Sequence, residues 1–557
     1  MVATQSDTRR PADGALRRDV GPIGLLFAGI GSIIGSGWLF GAFTASGLAG
    51  PAALLSWVIA AVMILLIALC YAELGPMFPI SGGVVRYPHL VWGSFASFSL
   101  GWITWISAAA VPAIEVEGAL QYATRYAHFT TKHIVQGEKT YTLTPLGLLA
   151  AIILLAVFVV VNYYGVRLFA QINNVLVWWK LAIVVLVIAV FLILALAGHH
   201  PMGGTGNYTS HGFAPFGSHG IFIAISTAGI TFSFLGFRQG IELAGESSNP
   251  KRNIPLAVIG SVLITGLLYV LLQVAFTLAV PGNALDKSGG WQGLSFTNDF
   301  GPLAAISTLA GASWLAYLLY ADAIISPADT GFIYTTVSSR ISYAMGRNGN
   351  APSLFTRTNA QGVPVAGLFL TFVVGIVLFL PFPSWQQLVG FITSATVISF
   401  GSGPLVVSVM RRELPDRNRP YRVWGGDVIP FLAFYSANMI VYWAGWTVNK
   451  KLFITILIGY VVLAVYHFTG DRSSKPSLAL RSGLWVVPWF IGMALISSLA
   501  DPKSHSAAFN WVFLINLVFC AAIYLLAFSV RQPRADIERH IADAQRESED
   551  EAAATHS

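Results

Sequence analysis

Apolar runs of about 20 residues recur from one end of the chain to the other, separated by short stretches rich in Gly, Pro, amide and charged residues. A run of that length, wound as an α-helix, crosses the ~30 Å hydrocarbon core of a bilayer. Fourteen runs qualify, near 20–46, 51–75, 93–121, 146–165, 174–197, 219–246, 255–281, 302–335, 364–382, 386–410, 427–447, 450–468, 482–500 and 509–530. Helices satisfy their own backbone in lipid, so the pattern predicts an all-α polytopic membrane protein. Composition agrees. Of the 557 residues 55% are hydrophobic and 10% charged, against roughly 25% charged in a soluble domain.

Lys and Arg set the expected orientation. With a cytoplasmic N-terminus, inside segments hold 23 of the 32 basic residues and outside loops hold seven. The other two, Lys180 and Arg238, fall within spans. The distribution predicts both termini on the cytoplasmic side of the plasma (inner) membrane. The net charge of +7 is scattered over short loops and predicts no nucleic-acid surface. Arg9, Arg10, Arg17 and Arg18 precede an apolar run too long for a signal-peptide core, which reads as a retained first span. Cys70 and Cys520 lie in apolar runs and define no disulfide framework. No His/Cys set has zinc-ligand spacing, and no Ser/His/Asp or HExxH set is placed for chemistry, so neither a metal nor an enzyme is expected. The charged tail 531–557 reads as a frayed helix or disorder.

Span 1 carries "GIGSIIGSGWLFG", with glycine at 29, 31, 35, 37 and 41. A phosphate or dinucleotide loop fails: no Lys-Ser/Thr follows, no βαβ unit surrounds it, and the spacing is not GxGxxG. Helix packing through small residues would put glycines four apart on one face. Gly31 and Gly35 fit that; Gly29, Gly37 and Gly41 spread around the helix. An unwound segment explains the stretch better. Free backbone groups at membrane depth are tolerated where they line a protein cavity, and N–H groups opening a half-helix face an anion. Span 6, "TFSFLGFRQGIELAGESSNPKRNIP" (231–255), is likewise interrupted by glycine, with Gly236 at the expected break. Broken segments in matching positions of two halves point to a transporter site in an inverted repeat.

Four motifs in order, "GIGSIIGSGWLFG", "YAELGPMFPISGG" (71–83), "FSFLGF" followed by "AGESSNPKRNIP", and "SSRISYAMGRNGNAP" (338–352), resemble the amino acid–polyamine–organocation (APC) superfamily. The resemblance implies a five-plus-five inverted-repeat core at 20–410, with repeats 20–197 and 219–410. Around it lie a tail at 1–19, additional spans at 411–530 and the C-terminal tail. It implies a substrate held at mid-membrane, its carboxylate on N–H groups of Ile33, Ile34, Gly35, Ser36 and Gly37. Its ammonium would meet carbonyls among Phe232, Phe234, Leu235 and Gly236. Phe232 and Phe234 are also candidates to cover the substrate; Trp38 is a weaker one.

Ionisable residues inside spans are functional candidates. Lys180 lies seven residues into span 5. In similar proton-coupled members a lysine at this place stands where sodium-coupled relatives bind their ion, so H+ is the expected coupling ion, with structural pairing as the alternative. Many relatives carry an acidic residue where this chain has Arg238. A guanidinium there would pair with a second substrate carboxylate; the alternatives are an ion pair with Glu242, Glu115 or Glu117. Glu115 and Glu117 point apart on their helix, so one at most faces the site. Asp322 and Asp329 share a face of span 8, as structural partners or proton carriers. Glu73 reads as structural. Together these predict a proton-coupled symporter of acidic amino acids, aspartate or glutamate, with Lys180, Glu115 and Asp329 in proton coupling. An exchanger, an organic-anion or neutral amino acid carrier, and a non-transporting sensor are the alternatives.

Overall fold

The computed structural model describes residues 20–553, apart from 81, 137, 360, 470–476 and 505–508. The N-terminal tail and its four arginines lie outside the described residues. Helices dominate, and the expected spans are recovered with adjusted ends. Span 1 is divided into Pro22–Ile33 and Gly37–Ala49. Gly50 then turns the chain at φ +63°, where a Cβ would also fall 2.6 Å from the Pro215 ring. Span 2, Ala53–Met77, returns antiparallel. The senses are fixed by span 7, Pro250–Ala279. Gly29 faces Ser261 and the Tyr269 hydroxyl bonds to Ile33 O, whereas Trp57 bonds to Gln273 and Gly75 packs on Ile254.

Span 3 is Ser94–Ala123, and spans 4 and 5 are Pro145–Tyr164 and Asn173–Leu196. Span 8 is Ser313–Arg347. Phe158 and Asn162 meet Phe332 and Thr336, whereas Trp179 and Lys180 meet Asp322 and Asp329. Span 6 comprises Gly217–Thr227 and Phe232–Glu242, bent by 46°. Spans 9 to 14 are Val365–Leu378, Trp385–Glu413, Val428–Trp443, Trp446–Phe468, Val486–Leu499 and Phe509–Ser529. Spans 3 and 10 are buried along almost their whole length and form the centre. Outer spans keep an apolar face open at helical spacing: Leu149, Ile153, Val157 and Val160 on span 4, Leu457, Ile458, Val461 and Val465 on span 12. Such faces suit lipid, and the chain is an integral membrane protein.

Two expectations are corrected, on the run 302–335 and on the C-terminal tail, and one small element is added to the helical class. The run 302–335 is not one span: Pro302–Leu309 is a separate short helix, ended where Gly311 turns at φ +74°. An antiparallel hairpin, Thr131–Gln136 with Glu138–Leu143, stands between spans 3 and 4. The tail is neither frayed nor disordered over Arg534–Ala553, which is helical and buries Ile537, Ile541 and Ala544. Glu73 has a structural setting, as read. It accepts from Arg411 Nε at 2.9 Å, Arg411 Nη2 at 2.6 Å and Val423 N at 2.8 Å, tying span 2 to the end of span 10 and to the segment after it.

Candidate functional site

The break in span 1 covers Ile34–Ser36. Its glycines all keep φ outside the left-handed region, so their task is close approach. A Cβ on Gly31 would lie 2.7 Å from Val177 Cγ2 of span 5, and one on Gly35 would lie 2.5 Å from Glu115 Oε1 of span 3. One on Gly37 would overlap the Ser233 hydroxyl of span 6. The break in span 6 is centred not on Gly236 but on Gly229. Gly229 holds φ +84°, a conformation costly for any residue with a Cβ, and the helix before it ends at Thr227. Phe232–Arg238 continues as 3₁₀ helix. Gly236 serves packing: a Cβ there would overlap the backbone of Ser32 and Ile33, so the two broken spans touch main chain to main chain.

The freed backbone groups of span 1 are taken up by neighbouring helices. Ser36 N–H donates to Glu115 Oε2 at 2.7 Å. Gly31 O accepts from Lys180 Nζ at 2.8 Å. Lys180 also donates to Thr330 Oγ1 at 3.1 Å and pairs with Asp329 at 2.5 Å, both partners fully buried. The expected positions of Lys180, Glu115 and Asp329 therefore converge on one unwound turn. Glu117 points elsewhere; it is buried, and neither carboxyl oxygen has a hydrogen-bond partner among the described residues. Asp322 receives Trp179 Nε1 at 2.9 Å and Ser326 Oγ at 2.6 Å, one level further along span 8.

Arg238 is 1% exposed. Its guanidinium lies 4.9 Å from the centre of the Tyr334 ring of span 8, an arrangement in which the ring face attracts the cation. No ion pair to Glu242, Glu115 or Glu117 forms among the described residues, and Nε and Nη1 have no hydrogen-bond partner there. A buried charge in that condition is costly unless something charged completes it. Between the breaks lies a cavity of about 10 Å³, lined by Ser32, Ile33, Glu115, Phe232, Leu235 and Tyr334 with Val111, Thr330 and Thr396. That is the room of one water, so the walls must part to admit a larger ligand. Phe232 and Leu235 line it as expected. Phe234 does not: it turns behind the break onto Trp57 and Tyr269.

One contact was not read from the chain. Trp385, the first residue of span 10, is fully buried and donates from Nε1 to Ser36 Oγ at 2.8 Å. A Cβ on Gly229 would lie 2.6 Å from its ring, so Trp385 bridges both breaks. Tyr334, Thr330 and Thr396 also went unread. One aromatic among a composition of 13% aromatics carries no local signal, and the threonines sit in ordinary helical sequence.

Two broken helices crossing at a polar cavity within a helical membrane bundle define a secondary-transporter class of site. The amino acid permease family profile matches residues 20–494, and the chain belongs to that family. It is an amino acid transporter of the APC superfamily, and its relatives are permeases, not enzymes. It is similar to the glutamate/serine transporter AimA of Bacillus subtilis (strain 168), 38% identical over 90% of this chain and 93% of the relative. It is also similar to the aspartate-proton symporter of the same organism, 33% identical over 94% of this chain and 99% of the relative. The branched-chain amino acid permease BcaP, again from that organism, is 26% identical over 81% of this chain and 93% of the relative.

The seat of Glu115 on Ser36 depends on the missing side chain at Gly35. Gly35→Ala is expected to push Glu115 off the Ser36 N–H and to lower amino acid uptake at least tenfold. The fold should survive, with thermal unfolding in detergent moving by only a few degrees. Uptake at the wild-type rate would show that the Glu115 contact is incidental.

Proposed function

We propose that this chain is a proton-coupled symporter of acidic amino acids, with both termini cytoplasmic. The observation that carries the proposal is Arg238, a sealed guanidinium whose Nε and Nη1 are unpartnered beside the cavity wall. A second substrate carboxylate supplies the charge and the paired acceptors that a guanidinium fork takes best. The names of the two Bacillus relatives, one for aspartate and protons and one for glutamate and serine, agree with an acidic substrate and add serine to the candidates.

In this mechanism the substrate α-carboxylate replaces Glu115 at Ser36 N–H, the opening of the second half of span 1. Two carboxylates cannot share that one donor, so Glu115 takes a proton as it leaves. Carbonyls of the 3₁₀ segment near Phe232–Gly236 face the substrate ammonium. The side-chain carboxylate reaches Arg238 as Tyr334 gives way. The second proton-sensitive contact is the Lys180–Asp329 pair. Protonation of Asp329 loosens Lys180 from span 8, and Lys180 holds the first half of span 1 through Gly31 O. Loading and unloading these carboxyl groups thus releases the broken span 1 from spans 3, 5 and 8, and lets spans 1, 2, 6 and 7 rock against the rest. Trp385, held to Ser36, closes the outer side.

Proteoliposome uptake of aspartate, glutamate and serine, with and without an inward proton gradient, tests the proposal. Wild type is expected to concentrate the acidic substrates only with the gradient. Arg238→Gln should lower the acidic-to-serine uptake ratio roughly tenfold or more, the value of a lost charged hydrogen bond. Lys180→Ala should keep counterflow and lose the gradient dependence. An unchanged substrate ratio removes Arg238 from the site, and wild-type gradient dependence in Lys180→Ala removes Lys180 from coupling.

A further inference from the structure

The helix Arg534–Ala553 lies outside the membrane spans, yet it is docked. Ile537, Ile541 and Ala544, spaced four and three apart, turn one buried face toward the protein. Its main support is the short helix Gly83–Trp92 that joins spans 2 and 3; along its edge run Leu414, Asp416 and Arg417, just after span 10. The approach to the helix is tethered. Gln532 N donates to Val91 O at 3.0 Å, Trp92 Nε1 donates to Ala527 O at 2.9 Å, and Arg531 Nε pairs with Glu413 at 2.6 Å. The short helix in turn packs against span 10 and against Gln239–Glu242, the end of broken span 6. The C-terminal helix therefore clasps together two connections that meet at the foot of the transport site.

At the centre of this contact the His540 ring lies on the His89 ring, centroids 5.1 Å apart and planes at 36°. The Nδ1 atoms of both are buried without a hydrogen-bond partner among the described residues. The charged neighbours are Arg86 on the short helix and Arg539, Asp536 and Asp543 on the C-terminal helix. Arg417 with Glu538, and Asp416 with Arg534, lie at the far edge. Burial, then His540 and Arg86, push the His89 imidazole down to about 3. Burial and Arg539 hold His540 below the ordinary histidine range, against the opposite pull of the Leu90 carbonyl, Asp536 and Asp543. Docking thus disfavours the charged form of both rings, and release frees them to charge. Their contribution to docking is complete above the ordinary histidine pKa of about 6.5 and is lost progressively as pH falls below it.

We propose that the His89–His540 contact is a pH-sensitive latch, through which the C-terminal helix holds the cytoplasmic face closed near neutral pH and lets go when that compartment acidifies. Which compartment the helix meets rests on the orientation proposed above; the docking and its loss do not. Two like charges forced 5.1 Å apart in a half-buried contact repel, and either ring gains its proton only by leaving. Acid in the cytoplasm then frees the short helix and the foot of span 6 to part from span 10.

Amide hydrogen exchange of the purified full-length protein tests the latch without any substrate. Rates are compared at pH 7.5 and 5.5 after correction for chemical exchange. With a released pKa of about 6.5 the His89 ring contributes about a tenfold change over that interval and His540 adds a further factor of at most about ten, so opening of residues 534–544 should rise by more than about tenfold in wild type. His540→Gln should cut the rise to about tenfold and His89→Gln should cut it further, and the partly exposed His540 allows the test even if His89→Gln is poorly folded. Exchange of Val84–Trp92 should rise with that of 534–544. A rise as large in His540→Gln as in wild type, or no rise in wild type, overturns the latch. An unchanged Val84–Trp92 segment overturns the clasp.

Discussion

The structure depends on main chain meeting main chain at the middle of a membrane. Gly236 of span 6 sits directly on the Ser32–Ile33 backbone of span 1, where any Cβ would collide. This contact brings two interrupted helices together, and an interrupted helix in lipid leaves backbone polar groups that must find partners inside the protein. The rest of the site follows from that demand. Glu115 answers Ser36 N–H, Lys180 answers Gly31 O and Tyr269 answers Ile33 O, so spans 3, 5 and 7 are all fastened to one unwound turn.

Charged side chains do this task, and the proposed proton coupling rests on them. A neutral amide on span 3 could also satisfy Ser36, and a serine on span 5 could satisfy Gly31. A carboxylate and a lysine stand there instead, and the proposal is that they tie the shape of span 1 to protonation state. Asp329 lies 2.5 Å from Lys180, so the lysine's charge is matched. Arg238 is not complete. Its two idle nitrogens are the polar groups of the site with the strongest call on an anion, and they lie on the other broken helix from Ser36. On the proposed function, a substrate with two carboxylates engages both breaks at once.

The helical membrane class, most span positions and both broken helices could be read from the chain, because hydrophobic run length and clustered glycine report on backbone burial directly. Lys180 and Arg238 stood out because a charge inside an apolar run has few explanations. Where the reading slipped, the cause was local. Gly229 and Gly236 look alike in sequence, yet one permits a left-handed turn and the other a close contact, and only the fold separates the two. Phe232 and Phe234 lie two residues apart, and the 3₁₀ geometry turns one to the cavity and the other to Trp57. Trp385 is distant in sequence from everything it touches. The tail 531–557 is charged enough to read as a frayed helix or disorder, and among the described residues its buried apolar face is Ile537, Ile541 and Ala544.

The central claim is that substrate and Glu115 compete for Ser36 N–H while Arg238 waits for a second carboxylate. A density map of the protein saturated with aspartate addresses it most directly. The account predicts the α-carboxylate about 3 Å from Ser36 N, Glu115 withdrawn from that position, and the side-chain carboxylate in hydrogen-bond contact with Arg238. Aspartate bound with Glu115 still on Ser36 N–H, or with Arg238 still stacked on Tyr334 and untouched, would contradict it.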